Sequence, residues 1–459
     1  MNLSNYKNIY FLGIGGIGMS AIARWFRAQG FVVGGYDKTT TELTSRLKEE
    51  GMDLHYDDQV GRIPTAFYNK SETLVVLTPA IPKDNVELKY FQDSGYDIMK
   101  RAQVLGLLTK DMFTIAIAGT HGKTTTSSMA AHILKFCGLK VNAFLGGITV
   151  NYESNLLIGE KNGVVVVEAD EFDRSFLTLY PDIAVITSTD ADHLDIYGEA
   201  DEVKKSFALF ASQIKEGGKL FLRDGLDVGN PKAVEIRNYA YKGESIKAEN
   251  LRVENGSFVF DYVSPSCTIE NISMLVPGFH NAENALAAIS IALELGLAPQ
   301  KVKEGIESFK GVKRRFQLIV KSEKIVYIDD YAHHPTEIEA FLKSIKKLYE
   351  GKKVTCIFQP HLFSRTRDFI DGFAESLSLP DKLILLDIYP ARELPIEGVS
   401  SKVVFDKVTI KDKLLCTKAE LMSILEKEET DVLVTVGAGD IDTFVKPIKE
   451  MLTRKYQLD

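Results

Sequence analysis

The chain has 459 residues, of which 45% are hydrophobic and 26% are charged. This length exceeds what one hydrophobic core can organise, so about three domains are expected, and the composition excludes an intrinsically disordered chain. The formal net charge of -8 argues against a general nucleic-acid-binding protein. The four cysteines are widely scattered, so they predict neither a zinc site nor a CxxC redox pair.

The amino terminus lacks the basic start and the apolar core of a signal peptide. No apolar run approaches the roughly 18 residues that a membrane-spanning helix needs. We therefore expect a cytoplasmic protein with no nucleic-acid partner and no segment inserted in a membrane. The expected assembly is a monomer or a weak homodimer.

Short β-branched runs followed by helical periodicity recur in three blocks, which is typical of βα units and parallel sheets. The predicted strands of the first block, residues 1–109, are 8–12, 31–35 and 73–77. Those of the second block, residues 110–312, are 113–118, 164–167 and 183–187, followed by an alternating segment at 250–276 that predicts antiparallel strands. Those of the third block, residues 313–459, are 325–328, 354–358, 382–386 and 432–436. We predict an α/β fold with these three blocks as domains.

A glycine-rich loop follows the first strand. Gly13, Gly15, Gly16 and Gly18 contain the G-x-G-x-x-G spacing, in which glycines let a diphosphate approach the amides at the start of the next helix. Asp37 ends the next strand, where its carboxylate can accept hydrogen bonds from a ribose or a base. This loop alone fits NAD as well as a UDP-sugar, so an NAD-dependent oxidoreductase is an alternative at this point.

A second phosphate loop lies between the strand at 113–118 and a helix predicted to begin near Ser127. It reads Gly119-Thr120-His121-Gly122-Lys123-Thr124-Thr125-Thr126. Its amides can wrap phosphates, Lys123 can reach the terminal phosphate, and the Thr124 hydroxyl can bind Mg²⁺. Ile117 replaces the first glycine of the eight-residue Walker pattern, so the loop is a shortened variant. We predict an ATP site.

Further ligands follow the neighbouring strands. Glu168 directly follows the strand at 164–167, and His193 lies in the segment 189–195 after the next strand. Ligands of open parallel sheets gather at the carboxyl ends of the strands, and Mg²⁺ prefers hard oxygen ligands. We predict a metal site of Thr124, Glu168 and His193.

Together these motifs resemble the Mur ligases, a family that uses ATP to add amino acids to UDP-N-acetylmuramic acid. The resemblance covers nearly the whole chain. The second phosphate loop, Glu168 and His193 match the family's ATP and magnesium motifs, and its adenine-proximal helix start is matched by Gly278-Phe279-His280-Asn281-Ala282-Glu283-Asn284-Ala285. The resemblance implies a Rossmann-like amino-terminal domain, a central P-loop ATPase-like domain and a Rossmann-like carboxyl-terminal domain.

The resemblance also implies which residues bind the nucleotides. Arg315 is expected at the ATP phosphates and Asp329 at the ribose. The other ATP-binding residues are Gly119, Thr120, His121, Gly122, Lys123, Thr124, Thr125, His280, Asn281 and Asn284. The UDP-sugar would be bound by Gly13, Gly15, Gly16, Ile17, Gly18, Asp37 and Thr78.

Within the family, the loop at 12–20 resembles the branch that adds L-alanine. The third block agrees through its segments 329–337 and 358–361. The implied L-alanine-binding residues are Tyr331, His333, His361 and Arg365, and the implied catalytic residues are Lys123, His193, His333 and Arg365. Ala332 stands where many relatives have glycine, and Leu362 stands where some have arginine. Lys204 and Lys205 are not assigned the role of the carbamylated lysine of other Mur ligases.

The expected reaction phosphorylates the lactyl carboxylate with ATP, and L-alanine then attacks the acyl phosphate. His333 is the first candidate for the base that deprotonates the amine, with His361 as the alternative. Two other functions remain open besides the oxidoreductase. One is the related recycling ligase that attaches a tripeptide to the same UDP-sugar, and the other is an ATP-gated binding protein without turnover.

Overall fold

The structure is a computed structural model that describes residues 3–110, 112–160, 163–190, 200–254, 256–391 and 393–458. The chain divides into two compact units. The first comprises Met1–Ile246 and Ala287–Gly305, and the second comprises Lys247–Leu286 and Ile306–Asp459. Within the described ranges, no helix is both long and apolar enough to cross a membrane.

The first unit begins with a five-stranded sheet of order β3-β2-β1-β4-β5, in which all pairs are parallel. Its strands are β1 (Asn8–Leu12), β2 (Val32–Tyr36), β3 (Asp53–His55), β4 (Thr73–Leu77) and β5 (Asp97–Lys100). Its helices are α1 (Ile17–Ala28), α2 (Glu42–Glu49), α3 (Val86–Asp93) and α4 (Arg101–Thr109). The strand order reverses beside β1, and ligands bind at the carboxyl ends of the strands at such a point.

Tyr10, His55 and Glu87 form a largely buried polar cluster in the first unit. The Tyr10 hydroxyl donates to Oε2 of Glu87 at 2.6 Å and lies 2.7 Å from Nε2 of His55. Glu87 is fully buried, and this burial raises its pKa to about 7, although the hydrogen bond from Tyr10 favours the charged form. Burial also lowers the pKa of His55. The cluster is therefore sensitive to pH.

Replacing Glu87 by glutamine is expected to change how stability depends on pH. The folded state favours protonated Glu87, so its contribution to stability is complete below about pH 4.5 and is lost as the pH rises through about 7. The wild type should therefore lose stability relative to Glu87→Gln between pH 5 and pH 8. Urea midpoints of both proteins across this range measure the difference, and two parallel curves would contradict the assignment.

The first unit continues with seven strands of order β12-β11-β10-β6-β9-β7-β8. They are β6 (Thr114–Ala118), β7 (Val141–Thr149), β8 (Ser154–Leu157), β9 (Val164–Ala169), β10 (Ile183–Ile186), β11 (Lys219–Arg223) and β12 (Glu235–Ala240). The strands β7 and β8 form an antiparallel hairpin, and the other pairs are parallel. Helices α5 (Lys123–Phe136) and α6 (Ala200–Ser212) belong to this part.

The second unit contains two groups of strands. The first is antiparallel and consists of β13 (Ile246–Glu254), β14 (Ser257–Val263) and β15 (Thr268–Met274). The second has the order β16-β17-β21-β18-β19-β20 and is parallel except for β16. Its strands are β16 (Gln317–Lys321), β17 (Val326–Asp330), β18 (Val354–Phe358), β19 (Lys382–Leu385), β20 (Lys413–Leu415) and β21 (Val432–Val436).

The remaining helices follow in chain order. Helices α7 (Phe279–Glu294) and α8 (Pro299–Glu307) each contain residues of both units. Those of the second unit are α9 (Pro335–Leu348), α10 (Phe363–Asp368), α11 (Ile370–Ser376), α12 (Ser401–Lys407), α13 (Lys418–Lys427) and α14 (Val445–Tyr456). Helices thus follow the parallel strands β17, β18, β19 and β21, as the sequence predicts.

The predicted strands at 8–12, 73–77, 354–358 and 432–436 are confirmed with the same bounds. The predicted start of the helix after the second phosphate loop is wrong, because α5 begins at Lys123 rather than near Ser127. Gly122 adopts a left-handed conformation with φ of 84°, which ends the loop and lets the helix begin at the next residue. Lys123 and Thr124 therefore belong to the first helical turn.

Candidate active site

The first glycine-rich loop lies at the carboxyl end of β1. The amides of Gly13 and Ile14 donate to the carbonyl of Tyr36 at 2.8 and 3.1 Å. Gly15 donates to Oδ2 of Asp37 at 2.8 Å. A Cβ placed on Gly13 would lie 2.6 Å from Cγ2 of Thr78. The structure thus brings the loop, Asp37 and Thr78 together. The Asp37 carboxylate stabilises the loop by accepting the hydrogen bond from Gly15.

Helix α1 starts directly after this loop, with Gly16 as its N-cap and Ile17 as its first residue. A Cβ on Gly18 would lie only 2.5 Å from Nη1 of Arg101, so glycine leaves room for that guanidinium against the loop. The other nitrogen, Nη2, lies 3.3 Å from Oδ2 of Asp170. Arg101 was not predicted as a site residue, because no local motif in the sequence connects it with the loop. One cation thus adjoins both the loop and the end of β9.

The second phosphate loop, residues 119–126, is held by the residues that follow β10. The Thr120 amide donates to the Ser188 carbonyl at 3.2 Å, and the His121 amide donates to the Ser188 hydroxyl at 2.7 Å. The Thr187 hydroxyl donates to the His121 carbonyl. The amide of Asp190 donates to the Thr120 hydroxyl at 3.1 Å. These contacts fix the loop at the carboxyl ends of β6 and β10.

Lys123 lies in an acidic environment in the first turn of α5. Its ammonium donates to the Gly119 carbonyl at 2.6 Å and lies 2.7 Å from Oε2 of Glu171. Burial alone favours the neutral amine, but the carboxylates of Glu171, Asp170 and Glu168 outweigh burial and raise the pKa of Lys123. Lys123 is therefore a cation next to the loop, and its contact with ATP phosphates stays a prediction.

Two of the three predicted metal ligands, Glu168 and Thr124, lie within the described residues. Glu168 is the penultimate residue of β9, and its Oε2 accepts a hydrogen bond from the Gly146 amide at 3.0 Å. A Cβ on Gly146 would lie 2.2 Å from the same oxygen, so this approach requires glycine. The Thr124 hydroxyl belongs to the first turn of α5. Mg²⁺ typically needs only one or two protein oxygens besides phosphate and water, so the Glu168 carboxylate and the Thr124 hydroxyl fit it.

The third predicted metal ligand, His193, lies outside the described residues. Across the ranges that the structure describes, no group of three or more His, Cys, Asp or Glu side chains is arranged to hold a metal ion. The metal site of Thr124, Glu168 and His193 therefore stays a prediction.

The predicted adenine-proximal segment lies in the second unit at the start of α7. The side-chain amide of Asn281 donates to the Pro277 carbonyl at 2.8 Å, and the Asn284 amide lies 3.5 Å from the Asn281 oxygen. Burial lowers the pKa of His280 to about 4, so its ring is neutral near pH 7. The two asparagine side chains are thus positioned by contacts within the helix start itself.

Arg315 and Asp329 are the residues predicted to contact the ATP phosphates and the ribose. Arg315 lies just before β16, and Asp329 lies near the carboxyl end of β17. The Arg315 guanidinium carbon lies 5.0 Å from the centre of the Tyr331 ring and its Nη1 lies 4.0 Å from Glu337. Asp329 is only 1% exposed and accepts a hydrogen bond from Thr435 at 2.6 Å. Burial raises the pKa of Asp329, although Arg314 opposes this effect. Asp329 is thus part of a buried network, and its ribose contact stays a prediction.

The residues predicted to bind L-alanine lie after β17 and β18. The His333 ring centre is 5.2 Å from that of Tyr331 and 6.0 Å from that of His361. Nδ1 of His333 lies 3.0 Å from the Tyr331 carbonyl and 3.5 Å from Oε2 of Glu337. Arg365 is buried on the short helix α10. The structure brings the two histidines and the tyrosine together.

Ala332 and Leu362, the two expected departures from the family pattern, adjoin His333 and His361 in the sequence. Ala332 donates its amide to Oδ1 of Asp330 at 2.8 Å, and burial raises the pKa of Asp330 to about 6, although Arg315 opposes this effect. Leu362 has a φ of 70°, a conformation that disfavours L side chains, and donates to the Tyr389 carbonyl at 3.0 Å. Both residues therefore contribute backbone geometry next to the histidines.

Three family models match consecutive parts of the chain. The Mur ligase family catalytic domain matches residues 8–112, the Mur ligase middle domain matches 117–292, and the Mur ligase glutamate ligase domain matches 314–439. The second and third matches lie within the predicted domains 110–312 and 313–459, whereas the first ends three residues beyond the predicted domain 1–109, and the exact boundaries stay a prediction. These matches support the α/β three-domain Mur ligase architecture that the sequence predicts.

Comparisons with individual relatives and solved structures support this assignment. UDP-N-acetylmuramate--L-alanine ligase of Parabacteroides distasonis is 51% identical over 461 residues, which cover 100% of both chains. The crystal structure of UDP-N-acetylmuramate-alanine ligase from Thermotoga maritima has a TM-score of 0.80 and 29% identity, and the match covers 98% of this chain and 99% of that one. A murein peptide ligase from Psychrobacter arcticus shares the fold, with a TM-score of 0.68, 22% identity and 98% of each chain covered. The chain belongs to the Mur ligase family.

Proposed function

We propose that this protein joins L-alanine to the lactyl carboxylate of UDP-N-acetylmuramic acid, with ATP converted to ADP and phosphate. The geometric observation that carries the proposal is Arg101, which lies against Gly18 of the first loop and 3.3 Å from Asp170 beside the ATP loop. A sugar-nucleotide site and an ATP site that adjoin are what phosphoryl transfer between their ligands requires. The 51% identical ligase of Parabacteroides distasonis carries the name of this activity.

The first half-reaction makes the carboxylate reactive. The lactyl carboxylate is a poor acyl donor, because its charge repels nucleophiles and oxide is a poor leaving group. Attack of one of its oxygens on the γ-phosphorus forms an acyl phosphate and releases ADP. Lys123 and Arg315 would stabilise the negative charge of the transferred group and of the leaving ADP. Thr124 and Glu168 would hold Mg²⁺, which would further neutralise that charge when bound.

The second half-reaction forms the amide. L-Alanine arrives as an ammonium ion and must lose a proton before its nitrogen can attack. A proton on Nδ1 of His333 can be donated to the Tyr331 carbonyl, which leaves the Nε2 lone pair to accept the ammonium proton. Arg365 would pair with the carboxylate of L-alanine through two parallel hydrogen bonds. The tetrahedral intermediate then expels phosphate and leaves UDP-N-acetylmuramoyl-L-alanine.

Replacing Glu168 by glutamine is expected to raise the Mg²⁺ concentration for half-maximal activity by about tenfold or more, because a charged metal ligand becomes neutral. The glutamine carbonyl can still accept the Gly146 hydrogen bond, so the fold is kept. A titration of activity with Mg²⁺ at saturating ATP measures the change. The control is Glu160→Gln, which removes a carboxylate in a surface ion pair with Lys140. An unchanged midpoint in Glu168→Gln would contradict the metal assignment.

The proposed function also bears on the location of the protein, its assembly and the ligand of each predicted domain. ATP consumption favours a cytoplasmic location, and a monomer or a weak homodimer is compatible with the reaction. The three predicted domains, residues 1–109, 110–312 and 313–459, would supply UDP-sugar, ATP and L-alanine sites in that order.

Acceptor-dependent turnover tests the function. Purified protein is incubated with ATP, Mg²⁺ and UDP-N-acetylmuramic acid together with L-alanine, with a cell-wall tripeptide, or without an acceptor. Phosphate release and product mass are measured. The expected result is release that depends on L-alanine, with the mass of UDP-N-acetylmuramoyl-L-alanine. Dependence on the tripeptide would assign the protein to the recycling branch, and no turnover with any acceptor would support the binding-protein alternative.

A further inference from the structure

The first turn of α1 receives no support from its own cap. Its N-cap is Gly16, which has no side chain that could bond to the helix amides. These amides are the groups that a diphosphate would contact, so their orientation matters for binding the UDP-sugar. The Ser20 hydroxyl donates to the carbonyl of Ile17 at 2.9 Å within this turn. Further support comes from a distant part of the chain.

Asn155 supplies that support from strand β8. Its side chain is fully buried, and its amide nitrogen donates to the carbonyl of Ile17 at 2.5 Å and to the Ser20 hydroxyl at 3.0 Å. Its amide oxygen accepts a hydrogen bond from Nη1 of Arg24 at 2.7 Å. The side-chain amide therefore bonds at both ends to α1, which fixes its orientation.

Arg24 is held in turn by Glu50. Its Nε and Nη2 nitrogens lie 2.7 to 3.0 Å from the Glu50 carboxylate. The guanidinium thus faces Asn155 with one nitrogen while two others are fixed by a bidentate contact. Bidentate pairs of this kind have a defined geometry. The pair with Glu50 thus orients the Arg24 guanidinium toward Asn155.

The hairpin that carries Asn155 also reaches the ATP site. Strand β7 pairs with β8 from Ala143 to Thr149 and contains Gly146, whose amide donates to Glu168. One hairpin therefore contacts a predicted magnesium ligand in one strand and the first turn of α1 in the other.

We infer that Asn155 is a positioning residue for the UDP-sugar, which it serves by orienting the first turn of α1 toward the diphosphate. The inference rests on the proposed function, because that function names the ligand. Asn155 touches Ile17, Ser20 and Arg24 rather than the substrate, so its loss acts through the helix. The β7–β8 hairpin thereby connects the diphosphate loop with the ATP site.

Two variants of Asn155 test the inference. Asn155→Ala removes all three hydrogen bonds. Asn155→Asp keeps the shape and the acceptor for Arg24 but cannot donate to Ile17, so it guards against misfolding of the alanine variant. Both should weaken binding of UDP-N-acetylmuramic acid by about tenfold, as expected for the loss of buried hydrogen bonds. Calorimetry without ATP measures this affinity directly, and a second titration measures MgATP affinity.

A matched control exists in the same hairpin. Asn142 on β7 is also buried and makes two hydrogen bonds, to the Glu160 carbonyl at 2.9 Å and from the Gly159 amide at 3.0 Å. Neither partner belongs to α1. Asn142→Ala should therefore lower stability and leave the affinity for the UDP-sugar unchanged, which separates positioning from a general loss of structure.

The outcomes are distinct. Weakened UDP-sugar binding with nearly unchanged MgATP binding in the Asn155 variants alone supports the inference. Wild-type affinity in those variants, or an equal loss in Asn142→Ala, overturns it while the proposed function stands. A wild-type protein that binds no UDP-N-acetylmuramic acid overturns the proposed function, and the inference falls with it.

Discussion

Replacing Lys123 by methionine is expected to lower kcat by about a hundredfold to a thousandfold, as the loss of a preorganised cation at a transition state typically does. The Lys123 ammonium donates to the Gly119 carbonyl and pairs with Glu171 at 2.7 Å, which holds it beside the loop that would wrap the phosphates. Methionine keeps most of the length of the side chain and removes its charge. Single-turnover formation of ADP with UDP-N-acetylmuramic acid measures the chemical step.

The same substitution should also destabilise the protein, because it leaves the buried Glu171 carboxylate without its cation. A buried charge that loses its partner costs about 3–5 kcal/mol. Adding Glu171→Gln to Lys123→Met should recover most of this stability and none of the activity. The matched control is Lys135→Met in the last turn of α5, where the exposed ammonium lies 4.7 Å from the Tyr152 ring centre. Full turnover in the double variant would contradict the phosphoryl-transfer role.

Replacing His333 by glutamine is expected to lower kcat by about a hundredfold or more, the range of a general base. Glu337 lies 3.5 Å from Nδ1 of His333 and would stabilise the imidazolium that forms when Nε2 takes the proton. The base must be neutral to act, so the wild-type rate should rise with pH along the acidic limb. The His333→Gln variant should lose that limb. A pH profile of kcat/KM for L-alanine measures it.

His361 provides the comparison, because its ring stacks on Tyr389 at 5.8 Å and lies 6.0 Å from His333. His361→Gln should raise the KM for L-alanine and keep the acidic limb. Glu337→Gln should keep the limb with a reduced rate, since the amide can still accept a hydrogen bond from the His333 backbone. A His361 variant that alone loses the limb would move the base assignment from His333 to His361.

Much of the fold was predictable because buried parallel strands are continuous β-branched runs. The strands Val354–Phe358 and Val432–Val436 stand out in this way. The short strands β3, β5 and β20 were not predicted, because three or four residues carry too little periodicity. The strand β7 was missed as well, because Gly146 and Gly147 interrupt its apolar pattern.

The composition of the candidate site was partly predictable for a topological reason. The carboxyl ends of parallel strands meet at one edge, so loops after β1 and β4, after β6 and β10, and after β17 and β18 were expected to cluster. The pairings inside each cluster were not. Arg101 against Gly18, Asn155 against Ile17, and Lys123 with Glu171 connect residues far apart in the chain, and no local spacing reports such contacts.

The measurement that tests the central claim most directly follows the oxygen atoms of the lactyl carboxylate. UDP-N-acetylmuramic acid labelled with ¹⁸O at both carboxylate oxygens is converted with ATP and L-alanine, and both products are analysed by mass spectrometry. Activation as an acyl phosphate predicts that one ¹⁸O leaves in the phosphate and the other stays in the new amide carbonyl. Unlabelled phosphate would contradict the account, because it would show that water and not the carboxylate attacks ATP.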